Sequence, residues 1–220
     1  RDWSSDVCSS DLGKSTVAKM LARRLGFTHI DTGALYRAVA LLALKAGAPS
    51  DDEAAVVRAS RGAKLEFRKL DDGNLLHIDG ICVQNEIRKE NVGAMASRVS
   101  ALPGVRALLL ELQRELGRGG GVVLEGRDIG TVVFPDAEVK GFLTANIESR
   151  AQRRALELAQ KGERISLEQI KEEMARRDKQ DSEREIAPLR QAPDAVLIDT
   201  SAMSIESVLD RLESLVRDRS

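Results

Sequence analysis

The chain has 220 residues, 34 Lys and Arg against 35 Asp and Glu, and a formal net charge of −1. Its 42% hydrophobic and 31% charged residues describe a soluble globular protein, long enough for one sizeable domain or a domain with an insertion. The balanced charge offers no global field for nucleic acid or an anionic membrane, no apolar run reaches transmembrane length, and two distant cysteines, Cys8 and Cys82, fit a reducing, cytoplasmic setting better than a disulfide scaffold.

Residues 1–12 look foreign to the rest. Trp3–Val7 (WSSDV) and Cys8–Leu12 (CSSDL) are near copies, which is low-complexity sequence rather than a core strand. A parallel strand buried on both faces is a near-continuous apolar run, and RDWSSDV is mostly polar. The segment therefore reads as a sequence-assembly scar in place of a native strand and Gly-rich turn, or else as a tolerated, disordered N-terminus; a genuine reading frame coding these residues would end the first idea.

The stretch from Gly13 to Arg37 organises the remainder of the chain. Lys14 supplies a point charge for phosphate oxygens, Ser15 a hydroxyl for Mg²⁺, and the backbone N–H groups of the helix start face the same anion. The P-loop pattern G-x-x-x-x-G-K-[ST] is incomplete, because Cys8 holds its first Gly position. GKST alone is thus a weak signal, and an ordinary helix start is its alternative. Val17, Met20, Leu21 and Leu25 give the helix one face to bury.

A second helix is predicted from Gly33 to Gly47, with Leu35, Val39, Leu42 and Ala43 apolar, and a third from an Asp51 cap through Val57. The period then changes. Lys64–Arg68 alternates, residues 71–74 have turn chemistry, and Leu75–Asp79 is again β-like: a hairpin, extended by Ile81–Val83. Helices come next at about 91–100 and 103–116, with Pro103 suited to a first turn. Residues of about 60–105 thus read as a small antiparallel and helical insertion within one domain of residues 13–220. Val122–Gly126 is an apolar strand entering the loop RDIGT, and Glu138–Ala145 another, opening an arginine-rich helix. Ser166 caps a long helix, Ala195–Asp199 is the last strand, and a closing helix begins near Ser204. Alternating strands and helices predict an α/β fold with a parallel sheet covered on both faces, whose ligands sit beyond the carboxyl ends of the strands.

Arg37, Arg127, Arg177 and Arg184, with Asp31, Asp128 and Asp181, fall in or near strand-end loops and the long helix. Guanidinium forks match phosphate oxygens, and carboxylates among them hold sugar hydroxyls or limit repulsion. Any single arginine also reads as a solvated surface charge; the case rests on their convergence. Arg150, Arg153 and Arg154, at i, i+3 and i+4, share a helix face. That face is either solvated, with Glu148 and Glu157 as partners, or a lid that closes over a nucleotide at about 147–163.

From Gly13 onward the chain resembles bacterial cytidylate kinases, which belong to the nucleoside-monophosphate kinases. The resemblance is carried by GKSTVAKMLARRLG, DTGALYRAVAL, ASRVSALPGVR, EGRDIGTVVFPDAEVKGFLTA and RRDKQDSERxxAPL. The family opens with an apolar strand and GPxGxGK, of which this chain keeps the last Gly and the Lys. The resemblance implies a P-loop kinase fold that converts ATP and CMP or dCMP to ADP and CDP or dCDP, with Mg²⁺. Gly13, Lys14, Ser15 and Thr16 would hold ATP phosphates and the metal. Thr32 and Arg37 would contact the CMP phosphate beside Tyr36, and Ser97, Arg106 and Asp128 would read cytosine. Arg127 would bridge to the phosphate, Arg177 and Asp181 would hold the ribose, and Arg184 would close the acceptor pocket. The insertion would be the CMP-binding subdomain, and Arg150, Arg153 and Arg154 would belong to the lid. Monomers are expected, without nucleic-acid or membrane partners. Rivals are a shikimate-type kinase and a catalytically dead nucleotide-binding protein. The absent turn and strand predict weak ATP binding, slow turnover and lost core burial. His29 and His77 read as structural, and Cys82 as a small core residue.

Overall fold

The computed structural model describes residues 2–7, 14–70, 73–160 and 162–219, with the backbone alone for residues 2–7, 14, 69, 70 and 73. In chain order, β1 is Asp2–Val7, α1 Lys14–Leu25, β2 Thr28–Asp31, α2 Thr32–Lys45 and α3 Glu53–Ser60. Then come β3 (Leu65–Leu70), β4 (Gly73–Ile78), β5 (Ile81–Cys82), α4 (Glu90–Val99) and α5 (Pro103–Gly117). The rest is β6 (Val122–Gly126), β7 (Val139–Thr144), α6 (Ile147–Gln160), α7 (Leu167–Glu183), β8 (Val196–Asp199) and α8 (Ile205–Asp218). The chain forms two compact units, Arg1–Phe27 with Gly120–Ser220, and Thr28–Gly119.

In the first unit β1 runs parallel to both β6 and β7, and β8 pairs parallel with β7. The register sets Ser4 opposite Leu124 on one side and Lys140 on the other. The expectation that the N-terminal segment forms no strand is therefore wrong. The reason is physical: the ladder is built from main-chain N–H and C=O groups, which every residue in DWSSDV carries. The flanking strands are the apolar runs; Val122, Val123 and Leu124 of β6 and Val139 and Leu143 of β7 are buried. Residues 8–13, which include the incomplete phosphate turn, lie outside the described residues.

Helices α1 and α8 cover this sheet, Val17, Ala18, Leu21 and Ala22 packing with Val208, Leu209, Leu212 and Val216. Arg24 ties the two helices through Asp210 at 2.7 Å, Glu213 at 3.2 Å and Glu206. Lys140, buried within β7, pairs with Asp194 at 2.8 Å. Helices α6 and α7 form a satellite core of Ala151, Leu158, Ile170 and Met174. As expected, Ser166 caps α7, and Gln169 returns the bond in a capping box with both distances 3.2 Å.

In the second unit α2 starts on Asp31, whose carboxylate accepts from Ala34 N at 3.2 Å, and it closes near Gly47 in left-handed backbone, φ 66°. The third helix is capped by Asp52 rather than Asp51 and runs to Ser60 rather than Val57. Adjacent carboxylates are equivalent in sequence, but Asp52 is the one that reaches Ala55 N, at 2.9 Å. Strands β3, β4 and β5 form the expected antiparallel sheet. Cys82 is exposed, not a core residue, because β5 is a two-residue edge strand that buries neither side chain. His77 is buried and shares a hydrogen bond with the Leu75 carbonyl at 3.0 Å, a structural role as expected. Leu35, Val39, Leu76, Met95, Val99 and Leu109 anchor the core of this unit.

Candidate active site

Helix α1 opens at Lys14, so its first N–H groups carry the partial positive charge that attracts phosphate. Gly13 and the Lys14 side chain lie outside the described residues. Ser15 and Thr16 are exposed at this end, and Ser15 Oγ donates to Glu125 Oε2 at 3.0 Å. Glu125 is almost fully buried at the end of β6.

The chain leaves β6 through Arg127 and Asp128 into an unusual π-helical turn, Ile129–Val133, in which Phe134 N bonds Ile129 O at 2.7 Å. Such turns aim side chains that an α-helix would direct elsewhere. Arg127 Nε donates to Asp181 Oδ2 at 2.9 Å, and Arg184 Nη2 stands 3.7 Å from Asp128 Oδ1. Arg184 Nε donates to the Ala187 carbonyl at 2.6 Å, and Ala187 adopts left-handed backbone, φ 49°. Arg177 lies one turn before Asp181 on α7 and acts on it through its charge. Burial pushes the Asp181 carboxyl up, but the charges of Arg127, Arg177 and Arg184 and the Arg127 hydrogen bond outweigh it and hold the group below the usual carboxylate range. Three guanidinium groups and two carboxylates thus gather in largely buried surroundings. Such a cluster suits an anionic, hydroxyl-bearing ligand.

The arginines of α6 do not share an open face. Arg150 is buried and pairs with Asp178 Oδ2 of α7 at 2.6 Å, Arg153 Nη2 donates to Thr200 O at 2.9 Å, and Arg154 pairs with Glu157 at 3.2 Å. Glu148, expected beside them, pairs with Lys171. At 3.6 residues per turn, i+3 and i+4 fall about 60° and 40° to either side of i, so a helix packed over Arg150 separates its two neighbours.

In the second unit Thr32 is buried at the start of α2 and Tyr36 lies one turn later. The buried Arg106 of α5 sets its guanidinium 5.7 Å from the Tyr36 ring centroid and donates to Ser100 O at 3.2 Å. Ser100 Oγ in turn bonds Ser97 O at 2.9 Å. Arg37 Nη1 donates to the Ile87 carbonyl at 3.0 Å. Tyr36 and Arg106 are thus brought together in this unit, as Arg127, Asp128, Arg177, Asp181 and Arg184 are in the first.

Residues 8–218 match the family model described as cytidylate kinase. The chain belongs to the cytidylate kinase family. It is 51% identical over 212 residues to the cytidylate kinase of Citrifermentans bemidjiense, which covers 96% of this chain and 90% of that one. Its identity to the cytidylate kinase of Geobacter sulfurreducens is 51% over 210 residues, with the same coverages of 96% and 90%. To that of Geobacillus kaustophilus it is 48% over 207 residues, covering 94% and 92%. Among solved structures, an uncharacterized protein from Eubacterium ventriosum superposes with a TM-score of 0.53 at 9% identity, covering 99% and 98%, and shares the fold.

Three residues that the structure sets beside site candidates have no role assigned to them from the sequence. Glu125 opens the EGRDIGT stretch, and it stands as a carboxylate inside a strand buried on both faces, a place where a charge needs a partner. Asp178 sits in RRDKQDSER among residues already singled out. Gly93 is, in sequence, just a glycine inside a helical pattern. Among the described residues no helix is long and apolar enough to cross a membrane.

Proposed function

We propose that this chain transfers the γ-phosphoryl group of ATP to CMP or dCMP, giving ADP and CDP or dCDP. The match of residues 8–218 to the cytidylate kinase family carries the reading. The arginine–carboxylate cluster around Asp181 supports it, because it is built from EGRDIGT and RRDKQDSER. A phosphate oxygen of the monophosphate attacks the γ-phosphorus, the bond to the β–γ bridging oxygen breaks, and ADP leaves. No covalent intermediate on the protein is required; positioning and charge neutralisation do most of the work.

On this reading Gly13, Lys14, Ser15 and Thr16 hold ATP phosphates. Thr32 and Arg37 contact the CMP phosphate with Tyr36 packing nearby, and Ser97, Arg106 and Asp128 read the cytosine. Arg127 bridges to the phosphate, Arg177 and Asp181 hold the ribose, and Arg184 closes the acceptor pocket. Arg153 and Arg154, and Arg150 once released from Asp178, neutralise the moving phosphoryl group. The Ser15 hydroxyl and Glu125 carboxylate are hard oxygen donors of the kind Mg²⁺ takes. When bound, the metal neutralises phosphate charge. The chain works as a monomer in the cytoplasm.

A coupled assay with CMP, dCMP, UMP, AMP and shikimate is the direct test. CMP or dCMP is expected to be preferred by at least tenfold in kcat/KM. Preference for another acceptor overturns the substrate assignment, and no turnover with any of them points to the catalytically dead reading.

The ATP side carries this chain's departure from its family pattern, with Cys8 in the first Gly position of the phosphate turn. Residues with a Cβ resist the left-handed backbone that such turns use. Cys8→Gly is expected to lower the KM for ATP by about fivefold or more, roughly 1 kcal/mol, with the KM for CMP unchanged. An ATP titration at saturating CMP measures it, and an unchanged ATP KM rejects the expectation.

A further inference from the structure

Gly93 lies in the first turn of α4, with its N–H donating to the Lys89 carbonyl at 3.0 Å. Its backbone is ordinary right-handed helix, so a left-handed conformation does not explain a glycine here. Helix propensity does not explain it either, since alanine is the better helix former. What sets the position apart is its neighbour. A Cβ added to Gly93 would stand 3.0 Å from Nη1, 3.5 Å from Nη2 and 3.6 Å from Cζ of Arg37. The guanidinium stands where that Cβ would crowd it, and a methyl group there requires it to give by a few tenths of an ångström. It cannot withdraw freely, because Nη1 also donates to the Ile87 carbonyl at 3.0 Å, in the turn that leads into α4. One atom is thus held by a hydrogen bond on one side and by the absence of a side chain on the other.

We infer that Gly93 is a positioning residue. It leaves the space in which the Arg37 guanidinium is held, and so sets the affinity of the monophosphate subsite for its phosphate. The inference rests on the proposed role of Arg37 toward the CMP phosphate. It concerns nucleoside monophosphates as a class, since a phosphate clamp does not read the base.

The test compares Gly93→Ala, Arg37→Ala and the double variant, with KM for CMP, KM for ATP and melting temperature measured for each. Gly93→Ala is expected to raise the KM for CMP about tenfold or more. The KM for ATP stays within twofold, and the melting temperature is unchanged or higher, because the helix gains alanine. In the Arg37→Ala background the same change adds no further loss of CMP affinity and does not lower the melting temperature. If Arg37→Ala raises the KM for CMP but Gly93→Ala leaves it within twofold, the positioning inference falls and the role of Arg37 stands. If Arg37→Ala itself leaves the KM unchanged, the phosphate reading falls and takes the inference with it. Should Gly93→Ala alone fail to fold, the double variant decides. Stability matching Arg37→Ala places the clash at the guanidinium, and further destabilisation shows that the space serves something else and overturns the inference.

Discussion

Asp181→Ala is expected to lower kcat/KM for CMP by about a hundredfold to a thousandfold and to bring the melting temperature down by about 6–20 °C. The loss of rate comes from the groups that the carboxylate holds. Arg127 bonds it at 2.9 Å, and Arg177 and Arg184 act on it through their charges. Without it three guanidinium groups lose a shared counter-charge, and the ligand-facing geometry opens. A factor of a hundred to a thousand corresponds to about 2.7–4.1 kcal/mol of lost transition-state stabilisation. The stability loss has the same origin. Asp181 and Arg127 are largely buried, with side-chain exposures of 11% and 17%. Removing one partner of such a pair strands the other and costs about 3–5 kcal/mol, at about 2–4 °C per kcal/mol for a chain this size.

The titration of Asp181 fixes the sign of the acid dependence. Its folded carboxyl lies below its ordinary value, since burial raises it less than the surrounding arginines lower it. Its contribution is therefore fully present above the unfolded value of about 3.9 and is lost as pH falls through the folded one. Melting temperatures of the wild type are expected to fall more steeply below about pH 4 than those of Asp181→Asn. Between pH 6 and 8 the rate shows no inflection from this group. Asp181→Ala melting within 2 °C of wild type, at about the wild-type rate, would sink this account.

What was legible in the sequence was periodicity and capping. Val122–Gly126 came through as a strand because four of its residues are buried and three of those are Val or Leu. Ser166 came through because a serine three residues before a glutamine has a local hydrogen-bond reason to start a helix. β1 was missed because its place is fixed by the main chains of β6 and β7, and an apolar-run rule reads side chains. The π-helical turn after β6 has no side-chain period to betray it. Arg127, Asp128, Arg177, Asp181 and Arg184 were singled out in the sequence together with Arg37 and Asp31, and spacing alone says neither which of them meet nor which carboxylate takes which arginine. Gly93 and Asp178 were illegible because their meaning lies in a neighbour 56 residues away for one (93 − 37 = 56) and 28 for the other (178 − 150 = 28).

The pair Arg150–Asp178 is expected to yield the second large effect, and it separates two roles for Arg150. The ions meet at 2.6 Å, with side-chain exposures of 8% and 21%, and Arg150 Nε and Nη1 and Asp178 Oδ1 are buried with no hydrogen-bond partner among the described residues. Charge is matched here, but hydrogen bonding is not, the circumstance in which a buried ion pair adds least over apolar packing. Asp178→Ala strands the more deeply buried charge and is expected to cost about 3–5 kcal/mol in urea unfolding. Arg150→Met/Asp178→Leu keeps much of the volume and removes both charges, and should return to within about 1–2 kcal/mol of wild type. A double variant as unstable as Asp178→Ala would show that the pair itself holds α6 to α7. The kinetics of the stable double variant then decide the role. If stability returns while kcat stays at least tenfold down, Arg150 reaches the phosphoryl group during turnover and Asp178 is where it rests between cycles. If stability and kcat return together, Arg150 braces the two helices, and neutralisation of the phosphoryl group falls to Arg153 and Arg154.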